Sequence, residues 1–165
     1  MATRFLAAGT VSASLFWFDL LSKSIAREAL TQDVPLAIVP GLNMTLVYNP
    51  GISFGLMPIS TSLGFGLLLL IQMLLTTCVG LFAWWQRHRA EVWPLLLIFS
   101  GGLGNLVDRF FHGVVTDFLD FYVGVHHWPT FNLADVWITF GVVGFLALEL
   151  ARVTGRQKMN GGTLS

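Results

Sequence analysis

Four stretches of this chain are each apolar for long enough to cross a lipid bilayer, and their recurrence restricts the fold more than any other feature. A helix needs roughly 20 apolar residues to traverse the hydrocarbon core. The first stretch runs from about Phe5 to Leu21, with helix continuing to about Ala29. The second, about Ser62 to Trp85, holds Leu67-Leu68-Leu69-Leu70-Ile71 and closes on Trp84-Trp85, a pair suited to the membrane interface. The third, about Val92 to Val107, opens on Trp93-Pro94, where a first-turn proline costs no hydrogen bond. The fourth runs from about Leu133 to Val153. Composition points the same way. The chain has 165 residues, 55% hydrophobic and only 11% charged, where a soluble domain carries about 25% charge. Lipid must therefore cover much of the surface.

The nine basic and nine acidic residues cancel, which removes any bulk electrostatic case for nucleic acid. Cys78 is the sole cysteine, so no intramolecular disulfide exists, and within an apolar run it reads as a small hydrophobe. The segment behind Arg4 carries no small-residue cleavage site and resembles later ones, so it reads as a retained span.

Basic residues set the orientation. With an even number of spans, Arg4, Arg87, Arg89, Arg152, Arg156 and Lys158 share one side, and Lys23, Arg27 and Arg109 the other. The excess places both termini in the cytoplasm. The longer connections, about 30–61 and 109–132, then face outward. In the first, Val34 to Val39 and Leu42 to Tyr48 read as strands around the turn Pro40-Gly41. The second offers Phe118 to Val125. After Asn49, Phe54, Leu56 and Met57 suit a short interfacial helix. The expected fold class is thus an all-α integral membrane protein. It has four transmembrane helices, a small extracytoplasmic β-sheet and a short interfacial helix, in a single domain over residues 1–155. A loose polar tail, 156–165, follows.

Polar residues near membrane depth are costly and need a partner or a task. In Gly101-Gly102-Leu103-Gly104-Asn105-Leu106-Val107-Asp108-Arg109, helical spacing puts Asn105 and Asp108 on one face. One reading is close helix packing with an Asp108–Arg109 anchor; another is the frame of a neighbouring site. Asp19 and Lys23, four apart, read as an interfacial salt bridge or as a support for that site. Asn49 stands in a polar turn and can also bond an extended peptide. Asp117 is flanked by apolar residues, and Asp135 stands in the first turn of the fourth span with Asn132 as N-cap. Helix capping alone accounts for Asp135. Alternatively, two carboxylates held close cannot both ionise, so one keeps its proton while the other activates a water. No zinc motif, serine elbow or phosphate loop is present.

Five blocks together resemble the lipoprotein signal peptidases, also called signal peptidase II or peptidase family A8. They are Asp19-x-x-Ser22-Lys23, Asn49-x-Gly51-x-x-Phe54, Gly101-Gly102-x-Gly104-Asn105-x-x-Asp108-Arg109, Val115-x-Asp117-Phe118 and Phe131-Asn132-x-Ala134-Asp135. Leu20, in place of a common glutamine, and Ile52-Ser53, in place of the usual Ala-Ala, depart from the pattern. The resemblance implies an aspartyl endopeptidase of the bacterial cytoplasmic membrane whose site lies near the outer face. Asp117 and Asp135 would be catalytic. Asp19, Lys23, Asn49, Gly51, Asn105, Asp108, Arg109 and Asn132 would support the site or bind substrate. The implied substrate is a prolipoprotein carrying diacylglyceryl-cysteine, cut just before that cysteine by a monomeric enzyme in membrane lipid, with no metal or other cofactor. Two other readings of the carboxylates remain: a small ion or proton transporter, or an assembly subunit that uses polar residues as helix glue.

Overall fold

The structure, a computed structural model, describes residues 2–51 and 61–161. It contains four helices, α1 (Ala2–Ala29), α2 (Ser62–Trp85), α3 (Val92–His112) and α4 (Leu133–Gly161). Four strands, β1 (Leu36–Val39), β2 (Leu42–Asn49), β3 (Val115–Val123) and β4 (His126–His127), form one antiparallel sheet in the order β1-β2-β3-β4. By length and composition, α2 and α4 can each cross a membrane, with mean hydropathy of 2.2 and 1.8 over their spanning windows. Helices α1 and α3 are comparably long, but their polar residues lower their hydropathy. The interfacial helix expected after Asn49 falls at residues 52–60, outside the described residues.

Several element boundaries differ from expectation, among them β1, which starts at Leu36, β3, which spans Val115–Val123, and the ends of two helices. Helix α3 continues five residues past Val107 to His112 and ends on Gly113, whose φ of 77° supplies the left-handed terminating residue. Helix α4 continues to Gly161, so the start of the polar tail is helical. Arg156, Gln157, Lys158 and Met159 are good helix formers, and polarity alone does not end a helix.

Helix α3 is central and packs against the other three. Its buried residues Gly101, Gly104, Asn105 and Asp108 recur at helical spacing. A Cβ on Gly101 would strike the Ala134 carbonyl and lie 2.8 Å from Ile138 Cγ1, while one on Gly104 would strike the Asp19 carboxylate. Those two glycines let α1 and α4 come close enough for polar side chains to meet. On α1, Ala8, Ser12, Asp19, Lys23 and Ala26 form the buried face, and Trp17, Phe18, Leu21 and Ile25 face outward. Ser12 and Ser100 join α1 to α3 by a 2.7 Å hydroxyl contact.

The sheet sits over the end of the bundle where α1 ends and α4 begins. Strand β2 pairs Asn43 with Asp120 and Val47 with Asp117, with a bulge between Met44 and Val47. The bulge has a direct consequence. Asn43 and Asn49 are six apart and would share one face of a regular strand. One extra residue reverses the alternation between them. Asn43 therefore meets Asp120 on one face of β3, and Asn49 meets Asp117 on the other.

Candidate active site

Asp117 lies in β3 and Asp135 in the first turn of α4, and Asn132 joins them. The Asn132 side chain donates from Nδ2 to Asp117 Oδ1 (2.6 Å), and its Oδ1 accepts the Asp135 backbone N–H (3.2 Å). The Asn132 N–H donates in return to Asp135 Oδ2 (3.1 Å). This reciprocal pair is a capping box, which satisfies two amide donors at the start of α4. Capping and carboxylate pairing are thus two uses of the same Asp135, and the sequence alternatives do not exclude one another.

Each carboxylate has a second carboxamide donor. Asn49 Nδ2 reaches Asp117 Oδ2 at 3.0 Å, and Asn105 Nδ2 reaches Asp135 Oδ1 at 2.8 Å. Among the described residues neither carboxylate forms an ion pair. Asp117 is 2% exposed. Burial pushes its pKa up and the Asp135 charge adds to that rise, while the donors Asn49 and Asn132 oppose it; the result is a pKa raised to about 6. One carboxyl is therefore poised to hold a proton near neutral pH beside another anchored at a helix N-terminus.

Beneath the pair, a polar lattice ties three helices together. Lys23 Nζ donates to Asp19 Oδ2 (2.8 Å) and to Asn105 Oδ1 (2.7 Å), with both Lys23 and Asp19 fully buried. Asp19 Oδ1 accepts the Ala134 N–H at 2.8 Å. Lys23 thus fixes which way the Asn105 carboxamide points, and Asn105 in turn presents its N–H group to Asp135.

The Asp108–Arg109 anchor does not form, because adjacent helix residues point in different directions. Asp108 instead bonds Arg27 Nη1 (2.8 Å), the Thr116 N–H (2.7 Å) and His112 Nδ1 (2.9 Å). It ties α1 to the residue preceding Asp117. Arg109 turns toward α2 and donates from Nη1 to Gln72. Gly51 follows Asn49 with φ of 88°, and its N–H donates to Asn49 Oδ1 at 2.8 Å. All ten residues singled out in the sequence thus lie in one connected region.

Comparison with known proteins shows the family. The model of the family described as signal peptidase (SPase) II matches residues 11–151. The chain belongs to the signal peptidase II family. Every residue of the site lies inside the matched span. Relatives named lipoprotein signal peptidase include one from Burkholderia mallei, 39% identical over 89% of each chain. Another, from Sulfurihydrogenibium, is 39% identical over 85% of this chain and 88% of its own. Two solved structures of a bacterial membrane enzyme share the fold, with TM-scores of 0.70 and 0.72 at 23% identity. They cover 87% and 91% of this chain, and 92% and 90% of their own. These matches lend the transporter reading no support.

Sequence reasoning about this signal peptidase II chain missed Arg27, Thr116 and Gln72 as parts of the site. Arg27 lies four residues beyond Lys23, one turn up the same face, which is a usable signal. Gln72 is the lone carboxamide of an apolar helix. Thr116 carries no signal, because only the fold brings it to Asp108. A separate buried carboxylate, Asp120, accepts from Asn43 (3.1 Å), Thr45 (3.2 Å) and His127 Nδ1 (2.7 Å) on the other face of the sheet. Burial opposes its ionisation, but these donors prevail and hold its pKa below the ordinary value. No group of residues suited to holding a metal ion occurs among the described residues.

Proposed function

We propose that this chain is a membrane-embedded aspartyl endopeptidase that removes signal peptides from prolipoproteins. The observation that carries the reading is the pairing of Asp117 and Asp135 through Asn132, each carboxylate held by neutral carboxamides and neither in an ion pair among the described residues. Two such carboxyls share one proton. The ionised member takes a proton from a water between them, and that water's oxygen attacks the scissile carbonyl. The protonated member hydrogen-bonds the carbonyl oxygen and stabilises the developing charge. Proton transfer to the departing amine then breaks the C–N bond. The raised pKa of Asp117 suits it to the acid role, with Asp135, fixed by Asn105 and the helix start, as base.

The chain crosses the cytoplasmic membrane four times, on this reading, as one domain over 1–155 with both termini inside. The sheet and the carboxylate pair then sit at the outer face, where a signal helix and a diacylglyceryl chain emerge from the bilayer. The substrate is the lipidated prolipoprotein, cut before its modified cysteine by a monomer that needs only membrane lipid around it. Asp19, Lys23, Asn105 and Asn132 position the pair, Asp108 braces β3 against α1, and Asn49, Gly51 and Arg109 face substrate.

A gel-shift cleavage assay in detergent tests the proposal with diacylglyceryl-modified prolipoprotein and its unmodified form. Wild type should cut only the lipidated form and keep its rate in a metal chelator. Asp117→Asn and Asp135→Asn should fold and cut nothing. Full activity in either folded variant would remove the pair from the mechanism.

A further inference from the structure

Gln72 is the single carboxamide in an apolar run from Leu67 to Leu75 of α2. Its Oε1 accepts from Arg109 Nη1, bridging α2 to α3 beside the carboxylate pair. Arg109 is only 8% exposed, and among the described residues it forms no ion pair. Among the described residues, its Nε–H is buried without a hydrogen-bond partner. A buried guanidinium with so few partners is costly, since its desolvation is repaid only by acceptors. Its open edge faces the turn after β2: a Cβ on Gly51 would lie 3.4 Å from Arg109 Nη2 and 3.6 Å from Nε. In that turn Asn49 holds Asp117, and the charges of Asp117, Asp108 and Asp135 act on Arg109.

We propose that Gln72 is a positioning residue: it holds Arg109 so that the remaining guanidinium N–H groups take a neutral backbone carbonyl of the substrate beside the carboxylate pair. The inference rests on the peptidase reading above. A neutral acceptor follows from charge. Lys23 is matched by Asp19, and Arg27 by Asp108. Arg109 then faces a carboxylate pair that carries one negative charge when it shares a proton. No positive charge is left over to hold a phosphate or carboxylate. Gln72 itself suits the task because its carbonyl oxygen accepts from one side of the guanidinium and leaves the remaining N–H groups free. Nothing in an apolar α2 requires a carboxamide otherwise, since leucine or methionine there would pack as its neighbours do.

Steady-state cleavage of the lipidated prolipoprotein tests this, with thermal stability in detergent measured for each variant. Losing a hydrogen bond to a charged group weakens binding about tenfold or more. Gln72→Met should raise KM by about tenfold with kcat within about twofold of wild type. Gln72→Glu retains the acceptor and should keep KM within about threefold. In an Arg109→Gln background, Gln72→Met should add nothing, because the group it positions is gone. An unchanged KM in Gln72→Met, an equal loss in Gln72→Glu, or effects that multiply in the double variant would each overturn the role. If Gln72→Met is unstable, Gln72→Asn, whose carbonyl falls short of Arg109, takes its place with the same expected rise in KM. Failure of the peptidase reading gives a different result: wild type binds the substrate without cutting it. Dissociation constants then decide, and equal affinities of wild type and Gln72→Met overturn the inference.

Discussion

Replacing Asn49 with alanine should move the alkaline limb of the pH–rate profile upward. The carboxylate pair works, on the proposed mechanism, while it holds one proton, so activity falls once Asp117, with its pKa raised to about 6, gives that proton up. Asn49 donates to Asp117 Oδ2 at 3.0 Å, and a donor favours the ionised form. Removing it makes Asp117 hold its proton to higher pH. A hydrogen bond to a charged group contributes about 1.5 kcal/mol, and one pKa unit corresponds to about 1.4 kcal/mol, so the limb should shift up by about one unit. The profile of kcat/KM reports the free enzyme and can be followed by cleavage of lipidated substrate across about pH 4 to 9. Asn49→Ala also removes the Oδ1 acceptor for the Gly51 N–H, which can lower the plateau without moving the limb. Asn43→Ala is the control, because Asn43 bonds Asp120 on the opposite face and should leave the limb in place. A limb that stays put or moves down in Asn49→Ala refutes the assignment of that limb to Asp117.

Other consequences follow from the same contacts. Asp117→Asn should be more thermostable than wild type at neutral pH, because a rise in pKa from 3.8 to about 6 costs the folded state about 3 kcal/mol once the group is ionised. Wild type loses that stability as pH rises from 3.8 through about 6, so the advantage of the variant should fade on acidification in melting curves, and a constant advantage would count against the buried carboxylate. Lys23→Met should destabilise by roughly 3–5 kcal/mol because it leaves the buried Asp19 charge uncompensated, and adding Asp19→Asn should recover part of the loss in denaturation midpoints. Gly104→Ala should lower the melting temperature more than Gly102→Ala, since the first Cβ strikes Asp19 and the second meets only the Thr76 side chain, at 3.0 Å. Asp120→Ala should speed amide exchange across β3 and β4 while cleavage persists, because Asn43, Thr45 and His127 lose a shared acceptor remote from the pair.

The helices were legible in the sequence because their signals are local, and the candidate site stood out as polar residues at membrane depth whose roles the family resemblance implied. Runs of apolar residues located α2 to the residue, and Asp19–Lys23 and Asn132–Asp135 interact at spacings that a helix dictates. The membership of the site was less legible where the partner comes from another element. Nothing in the order of residues reports that Arg109 turns to Gln72 while Asp108 turns to Arg27, since both choices depend on which helix stands on which side of α3. The bulge in β2 was invisible for a related reason. Alternation is the only strand signal, and one inserted residue reverses it without changing composition. The polarity of Arg156 to Asn160 gave no sign that α4 runs on to Gly161, because polarity alone does not end a helix.

The hydrogen bond from the Ala134 amide to Asp19 also bears on the order in which the protein becomes active during synthesis. Asp19 and Lys23 can meet as soon as α1 exists, since they are four residues apart on one helix. Asp117 emerges later with β3, and its partner Asp135 comes only with α4, whose first turn completes both the cap and the contact to Asp19. On the proposed mechanism, every earlier nascent chain thus has at most one of the two carboxylates in place and cannot divide the tasks of acid and base between them. A ribosome-bound chain can sit beside the signal helices of its own future substrates without cutting them. If the pair is catalytic as proposed, hydrolytic competence arrives in a single step, with the docking of α4.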